Sequence, residues 1–130
     1  MKQRALIVDD DYDIRELLRV LLEAIDLDVS TCGDGMDAMQ LDTSQYDVIL
    51  LDLNMPVFDG ERLVDYWTMT DPLVLQRVIV LSAYWRHTKG KKLPTFATLA
   101  KPFDHEELLR VVAECIAEPE EEKCACQSDE

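Results

Sequence analysis

Long hydrophobic runs are absent from this 130-residue chain. The longest uninterrupted apolar stretches, such as Ala5–Val8, have four residues, whereas a membrane-spanning helix needs about 20. The basic N-terminus does not lead into a secretory signal, because Asp9 interrupts the first apolar stretch too early. We therefore expect no membrane insertion and a cytoplasmic location.

Positive charge is scarce. The chain has 13 lysines and arginines against 27 acidic residues, which gives a formal net charge of −14. A field of this sign disfavours binding to nucleic acid, so we expect no direct nucleic-acid partner. Acidic residues are dense at the C-terminus, and the sequence predicts one domain over residues 1–118 followed by a disordered acidic tail over 119–130.

Cysteine is infrequent, and the four that occur do not form a disulfide framework. Cys32 and Cys115 lie in segments with an apolar pattern, so they are expected in the core. Cys124 and Cys126 could hold a metal ion or a redox bond, but no second Cys/His pair completes such a site. Two reduced thiols in a tail are the simpler interpretation.

What the chain does have is a regular alternation of β-rich runs and helical patterns. The expected strands are 5–8, 27–31, 46–51, 77–81 and 96–100, and the expected helices are 14–25, 35–41, 61–69 and 104–117. One face of the first helix would carry Ile14, Leu17, Leu18, Leu21, Leu22 and Ile25, and Met36 and Met39 of the second would face inward. Apolar strands that alternate with helices indicate a parallel sheet covered on both faces. The fold class is therefore α/β, with a doubly wound open sheet.

Polar or charged residues follow four of the five expected strands directly. They are Asp9-Asp10-Asp11 after the first strand, Asp52 after the third, Ser82 after the fourth and Lys101 after the fifth. Ligands of an open parallel sheet gather at the carboxyl ends of its strands. We therefore expect these side chains to share one edge of the sheet.

The expected cluster suits phosphoryl transfer. Two carboxylates about 4 Å apart repel by roughly 4 kcal/mol at an effective dielectric near 20, so converging carboxylates would hold a proton or a cation. Mg²⁺ prefers such oxygens and accepts a phosphate oxygen as a further ligand. Lys101 could neutralise an aspartate nucleophile and the incoming group, and Ser82 could donate to a phosphoryl oxygen. Aspartate is a known nucleophile in the formation of acyl phosphates.

Four motifs occur in order along the chain: Val8-Asp9-Asp10, Asp52-Leu53-Asn54-Met55-Pro56 with Asp59-Gly60, Ser82-Ala83, and Lys101-Pro102-Phe103. Together they resemble the response regulator receiver family of two-component signalling, over about residues 2–117. Each motif alone is weak, and the set in this order is specific. The resemblance implies a flavodoxin-like, five-stranded parallel sheet with strand order 2-1-3-4-5 and helices on both faces.

The resemblance also implies roles for residues at the strand ends. Asp52 would be the phospho-acceptor. Ser82 occupies the position of the hydroxyl that moves toward the phosphoryl group, and Lys101 would pair with the phosphate. The Lys101–Pro102 peptide bond is cis in typical members.

A magnesium site is implied in the same way. Asp9, Asp10, Asp52 and the backbone carbonyl of Asn54 would hold Mg²⁺, with Asp10 as a direct ligand and Asp9 acting mainly through water. Asp11 has no role in the family, and we expect it to cap the first helix.

The expected function is that of a stand-alone phospho-acceptor receiver in a phosphorelay. Its donor would be a histidine kinase or a histidine phosphotransfer protein, and its downstream partner is an unidentified protein. It would not be an enzyme beyond catalysing its own aspartyl phosphorylation and dephosphorylation.

Two alternatives to this function remain open. A Mg²⁺-dependent phosphohydrolase of the haloacid dehalogenase type is disfavoured, because Asp52 follows the third strand and Asn54 stands where that family has a second acid. A receiver-fold binding module that works without phosphorylation is disfavoured because the full acceptor set is present.

The segment between the fourth and fifth strands departs from the family pattern. It contains Gly90 and Pro94, which are unfavourable in helix interiors, so an atypical short fourth helix is expected. Receivers commonly carry an aromatic residue three positions before the strand-end lysine. Here that position is Thr98, which is too small to act as a rotating aromatic plug.

Overall fold

The computed structural model describes residues 3–53, 60–82 and 94–117. The elements in chain order are β1 Arg4–Val8, α1 Tyr12–Glu23, β2 Asp28–Cys32, α2 Gly35–Met39, β3 Val48–Asp52, α3 Gly60–Thr70, β4 Val78–Ser82, β5 Ala97–Ala100 and α4 His105–Ala117. Two 3₁₀ helices, Thr43–Gln45 and Pro72–Arg77, precede β3 and β4. The helix expected between β4 and β5, Asn54 and the tail 119–130 lie outside the described residues.

All five strands pair in parallel, in the order β2-β1-β3-β4-β5. This confirms the predicted fold class and strand order. β3 begins at Val48 instead of Tyr46, because Tyr46 ends a 3₁₀ turn and its N–H donates to Thr43. β3 and β4 each end one residue later than predicted, so Asp52 and Ser82 are their last residues.

Both faces of the sheet are buried, because alternate residues of each strand point in opposite directions. One face packs against α2 and α3, including Trp67 of α3, and its strand residues include Leu6, Val8, Ile49, Leu51, Val78 and Val80. The other packs against α1 and α4, including Cys115 of α4, and its strand residues include Ala5, Ile7, Val48, Leu50, Ile79 and Leu81. Complete burial of a Leu, Ile or Val side chain contributes about 1.5–3 kcal/mol. The sheet is therefore a stable base for the residues at its strand ends.

The start of α1 is set by Asp11. Its carboxylate accepts hydrogen bonds from the backbone N–H groups of Asp13 at 2.9 Å and Ile14 at 3.3 Å. A side-chain cap of this kind stabilises a helix by about 1 kcal/mol. The predicted capping role of Asp11 is confirmed.

Some predicted helix faces are wrong in detail. Met36 is 55% exposed, because α2 ends after five residues and only its inner side reaches the core. Leu17 is 36% exposed, so the buried stripe of α1 is narrower than the sequence spacing indicated. The helix ends at Glu23, so Ile25, also 36% exposed, lies beyond it. The prediction that Cys32 and Cys115 lie in the core is confirmed.

Among the described residues, no helix has both the length and the apolar character to cross a membrane.

Candidate functional site

The strand-end residues predicted from the sequence meet at one edge of the sheet. Asp9 follows β1, Asp52 and Ser82 end β3 and β4, and Lys101 follows β5. The first three are only 1%, 3% and 1% exposed. Ser82 also anchors Lys101, because its carbonyl oxygen accepts a hydrogen bond from the Lys101 N–H at 2.9 Å.

Lys101 joins the two buried carboxylates. Its Nζ lies 3.3 Å from Oδ2 of Asp9 and 3.2 Å from Oδ1 of Asp52, and its side chain is 19% exposed. At such distances each ion pair is attractive by about 5 kcal/mol at an effective dielectric near 20, before the cost of desolvation. The Lys101–Pro102 peptide bond is cis, as the resemblance implied. One ammonium group thus links the ends of β1 and β3.

Asp9 is held by both its side chain and its backbone. Its Oδ1 accepts a hydrogen bond from the N–H of Asp11 at 2.9 Å, and its carbonyl oxygen accepts one from Nη1 of Arg15 at 2.8 Å. Burial raises the pKa of Asp9 and the charge of Asp52 raises it further, while the hydrogen bond from Asp11 and the Lys101 ammonium lower it. The net direction is upward, so the protein alone disfavours the charged form of Asp9.

Asp9, Asp10 and Asp52 form an acidic cluster. Each offers one carboxylate oxygen, and these oxygens lie within 4.8 Å of one another. Asp10 is exposed while the other two are buried, so the cluster opens to solvent at Asp10. Three carboxylates and the Lys101 ammonium carry a formal charge of −2, and Mg²⁺ favours carboxylate oxygens while keeping part of its water shell. The residues present therefore fit a divalent cation.

Gly60 contributes to the structure of the site, although in the sequence it stands out only as part of the Asp59-Gly60 motif. A Cβ at this position would lie 2.7 Å from the Asp52 carbonyl oxygen and 2.7 Å from the Leu53 Cα. The Gly60 N–H donates to the Leu53 carbonyl oxygen at 3.1 Å. The start of α3 therefore packs directly on the backbone that carries Asp52, and only glycine fits there.

An apolar cleft of about 380 Å³ borders the site. Its lining residues are Ile14 and Leu17 of α1, together with Lys101, Pro102, Phe103 and His105. Since Lys101 also contacts Asp52, the cleft leads from the surface of α1 toward the acidic cluster.

A family model described as the response regulator receiver domain matches residues 5–113. The chain is 31% identical over 112 residues to sporulation initiation phosphotransferase F of Bacillus subtilis, covering 83% of this chain and 89% of that protein. Other relatives are longer, and the chain spans 47%, 16% and 57% of three transcriptional regulators that it matches.

Solved structures show the same fold. The response regulator TrrA of Thermotoga maritima, in complex with Mg²⁺-BeF, superposes with a TM-score of 0.76 at 27% identity, covering 87% of this chain and 98% of that one. The receiver domain of a sensor histidine kinase of Pseudomonas aeruginosa, with a magnesium ion in its active-site cleft, gives 0.78 at 25% identity, covering 91% and 100%. With the sheet order and the strand-end aspartates already placed, these matches show that the chain belongs to the response regulator receiver domain family.

Proposed function

We propose that this chain is a phospho-acceptor receiver whose Asp52 takes a phosphoryl group from a phosphohistidine donor in the presence of Mg²⁺. The observation that carries the proposal is the position of Lys101, whose ammonium contacts both Asp9 and Asp52 at a buried sheet edge. A buried carboxylate paired with a lysine beside further acids is suited to phosphoryl transfer, which depends on positioning and charge stabilisation.

The transfer step follows from this arrangement. An oxygen of the Asp52 carboxylate attacks the phosphorus atom, the bond from phosphorus to the donor imidazole nitrogen breaks, and its electron pair stays on that nitrogen. The product is an acyl phosphate on Asp52. Lys101 would stabilise the added negative charge, and Ser82 would donate its hydroxyl hydrogen to a phosphoryl oxygen. In dephosphorylation, water would attack the phosphorus atom, the bond from phosphorus to the Asp52 oxygen would break, and inorganic phosphate and the free carboxylate would result.

Mg²⁺ would be held by Asp10 directly, by Asp52, and by Asp9 mainly through water, with the Asn54 carbonyl as a further ligand. When bound, the cation supplies positive charge to the phosphoryl oxygens. The exposed Asp10 gives it access from solvent. The fit of three carboxylate oxygens within 4.8 Å supports this ligand set.

The donor is proposed to be a histidine kinase or a histidine phosphotransfer protein. Two similarities support this class: one relative is named as a phosphotransferase and one structural neighbour is the receiver domain of a sensor histidine kinase. The cleft beside Lys101 offers such a donor an apolar surface next to the acceptor. The downstream protein, the cytoplasmic location and action without an attached output domain stay predictions.

A phosphohydrolase of the haloacid dehalogenase type is the less favoured function. In that family the nucleophile follows the first strand, whereas the acceptor proposed here, Asp52, ends β3. The chain is therefore proposed to catalyse only its own phosphorylation and dephosphorylation. A binding module that works without phosphorylation would not require a buried ion pair between Asp52 and Lys101.

Intact-mass measurement of the full chain with acetyl phosphate tests the proposal. With Mg²⁺, the wild-type chain should gain the mass of one phosphoryl group, and chelation of Mg²⁺ should prevent the gain. Asp52→Asn should abolish it, whereas Asp65→Asn, on the exposed side of α3, should leave it unchanged. Equal labelling of the Asp52→Asn and wild-type chains would refute the assignment of the acceptor.

A further inference from the structure

The guanidinium of Arg15 is fixed against the backbone that carries the acidic cluster. Its Nη1 donates to the carbonyl oxygen of Asp9 at 2.8 Å. Its central carbon lies 5.6 Å from the centroid of the Tyr12 ring. Gly33 lies alongside, and a Cβ added there would meet Nη1 at 3.4 Å. The hydrogen bond to Asp9 and the contact with the Tyr12 ring thus restrain a side chain that, on a helix surface, is usually mobile in solvent.

The Asp9 carbonyl needs a donor because the β2 ladder ends beside it. The parallel register pairs Val8 with Cys32, and the Asp9 N–H still donates to the Cys32 carbonyl oxygen at 3.1 Å. A continued ladder would bring the N–H of residue 34 to the Asp9 carbonyl. Instead, β2 ends at Cys32 and Asp34 becomes the N-cap of α2. Arg15 supplies from α1 the donor that the strand does not.

We propose that Arg15 is a positioning residue for the cation site, an inference that rests on the proposed function. The Asp9 carbonyl belongs to the peptide group that joins Asp9 to Asp10. Its hydrogen bond to Arg15 fixes the plane of that peptide and therefore the direction of the Asp10 side chain. The Asp9 carboxylate is already held by Asp11 and Lys101. Asp10 is exposed, so packing does not position its side chain, and the backbone sets the direction of its Cα–Cβ bond.

Arg15 has two effects on a bound cation, and they have opposite signs. As a positive charge near the acidic cluster it opposes cation binding, and as a donor that orients Asp10 it favours binding. Removal of groups that orient metal ligands typically weakens metal affinity by about 10–100-fold. The charge effect is smaller, because solvent and salt screen charges at an exposed edge. The positioning effect should therefore dominate.

Calorimetric titration of the full chain with Mg²⁺ tests this inference, because the two effects of Arg15 predict changes in the Kd for Mg²⁺ in opposite directions. Arg15→Gln should raise the Kd for Mg²⁺ by about tenfold. Arg15→Lys keeps the charge but lacks the planar guanidinium, so its Kd should rise by about threefold. Arg19→Gln is the matched control. Arg19 lies one turn along α1, where it pairs with Glu16 at 3.6 Å, and its removal should change the Kd by less than about twofold.

The backbone offers a readout that does not involve the cation. The carbonyl ¹³C resonance of Asp9 should shift in metal-free Arg15→Gln and stay in place in Arg19→Gln. An unshifted resonance in Arg15→Gln would contradict the hydrogen bond on which the inference stands.

Three outcomes overturn the positioning role. Tighter Mg²⁺ binding by Arg15→Gln would mean that Arg15 acts only through its charge. A wild-type Kd in both Arg15 variants would mean that it does not act on the site. If circular dichroism shows that Arg15→Gln fails to fold, the test is made with Arg15→Lys, which keeps the net charge. A wild-type Kd for Mg²⁺ in Arg15→Lys would then refute the positioning role. If the wild-type chain itself does not bind Mg²⁺, the proposed cation site is wrong. If the wild-type chain binds Mg²⁺ and the Arg15 variants bind it equally well, only the positioning role is wrong.

Discussion

Replacing Gly60 by alanine should damage the fold at the point where α3 meets the acceptor strand. The added Cβ would lie 2.7 Å from the Asp52 carbonyl oxygen and the Leu53 Cα, against the 3.4 Å at which ordinary contact begins, a shortfall of 0.7 Å. Both of these atoms are backbone, so no flexible side chain can move away. The buried strand β3 or the start of α3 must shift instead. Overpacking of this kind costs about 1–3 kcal/mol.

Denaturant unfolding followed by far-UV circular dichroism measures this cost as a free energy of unfolding, and thermal unfolding measures it as a change in Tm. For a domain of this size, Gly60→Ala should lower Tm by about 3–6 °C for each kcal/mol lost. Gly33→Ala is the matched control, because its Cβ would meet only the end of the Arg15 side chain, at 3.4 Å. The control should change the free energy of unfolding by no more than about 0.5 kcal/mol.

The same variant should also slow phosphorylation, because the displaced backbone carries Asp52. Its labelling rate with acetyl phosphate should fall at a temperature where the variant is still folded. If Gly60→Ala has the stability of the wild-type chain, the close approach of α3 to β3 is not as described and the reasoning fails.

Three further predictions concern the charges of the site. The folded-state pKa of Asp9 is raised above its ordinary value of 3.8, so its contribution to stability is complete below that value and is lost as pH rises through the folded-state pKa. In metal-free denaturation curves Asp9→Asn should therefore gain stability relative to wild type as pH rises from about 4 to 7. A difference that stays constant with pH would contradict this. Lys101→Met leaves two buried carboxylates without their ammonium partner, so it should lower the free energy of unfolding by about 3 kcal/mol in the absence of Mg²⁺. Added Mg²⁺ should raise the free energy of unfolding more in this variant than in wild type, and an unchanged stability of Lys101→Met would contradict the ion pairs of Lys101 with Asp9 and Asp52. In Mg²⁺ titrations Asp10→Ala should weaken binding more than Asp9→Ala, because Asp10 is proposed to bind the ion directly and Asp9 mainly through water. The reverse order would exchange their proposed roles.

Much of the fold could be predicted from the sequence because its signals are local. Four apolar residues directly before Asp52 mark a strand buried on both faces, and the alternation with helices then requires a parallel sheet. The 3₁₀ helix at Pro72–Arg77 was missed because a single proline does not distinguish it from a loop. Met36 was predicted to face inward because a helix as short as α2 has too few residues for their spacing to define its buried side. In the structure Gly35 and Ala38 are the buried residues of α2.

The contacts within the site depend on the relative positions of elements that are far apart in the chain. Local sequence patterns do not determine these positions. Lys101 reaches both Asp9 and Asp52 because of the registers of β1, β3, β4 and β5. Arg15 and Arg19 look alike in sequence, yet one binds the Asp9 carbonyl and the other pairs with Glu16. The glycine requirement at position 60 likewise arises from a backbone approach seen only in three dimensions.

The most direct test of the central claim is chemical mapping of the acceptor. An acyl phosphate on aspartate is reduced by borohydride to homoserine, so the full chain is phosphorylated with acetyl phosphate and Mg²⁺, reduced and sequenced by tandem mass spectrometry. Homoserine is expected at position 52, with unmodified aspartate at positions 9 and 10. Homoserine at another position, with Asp52 intact, would contradict the central claim.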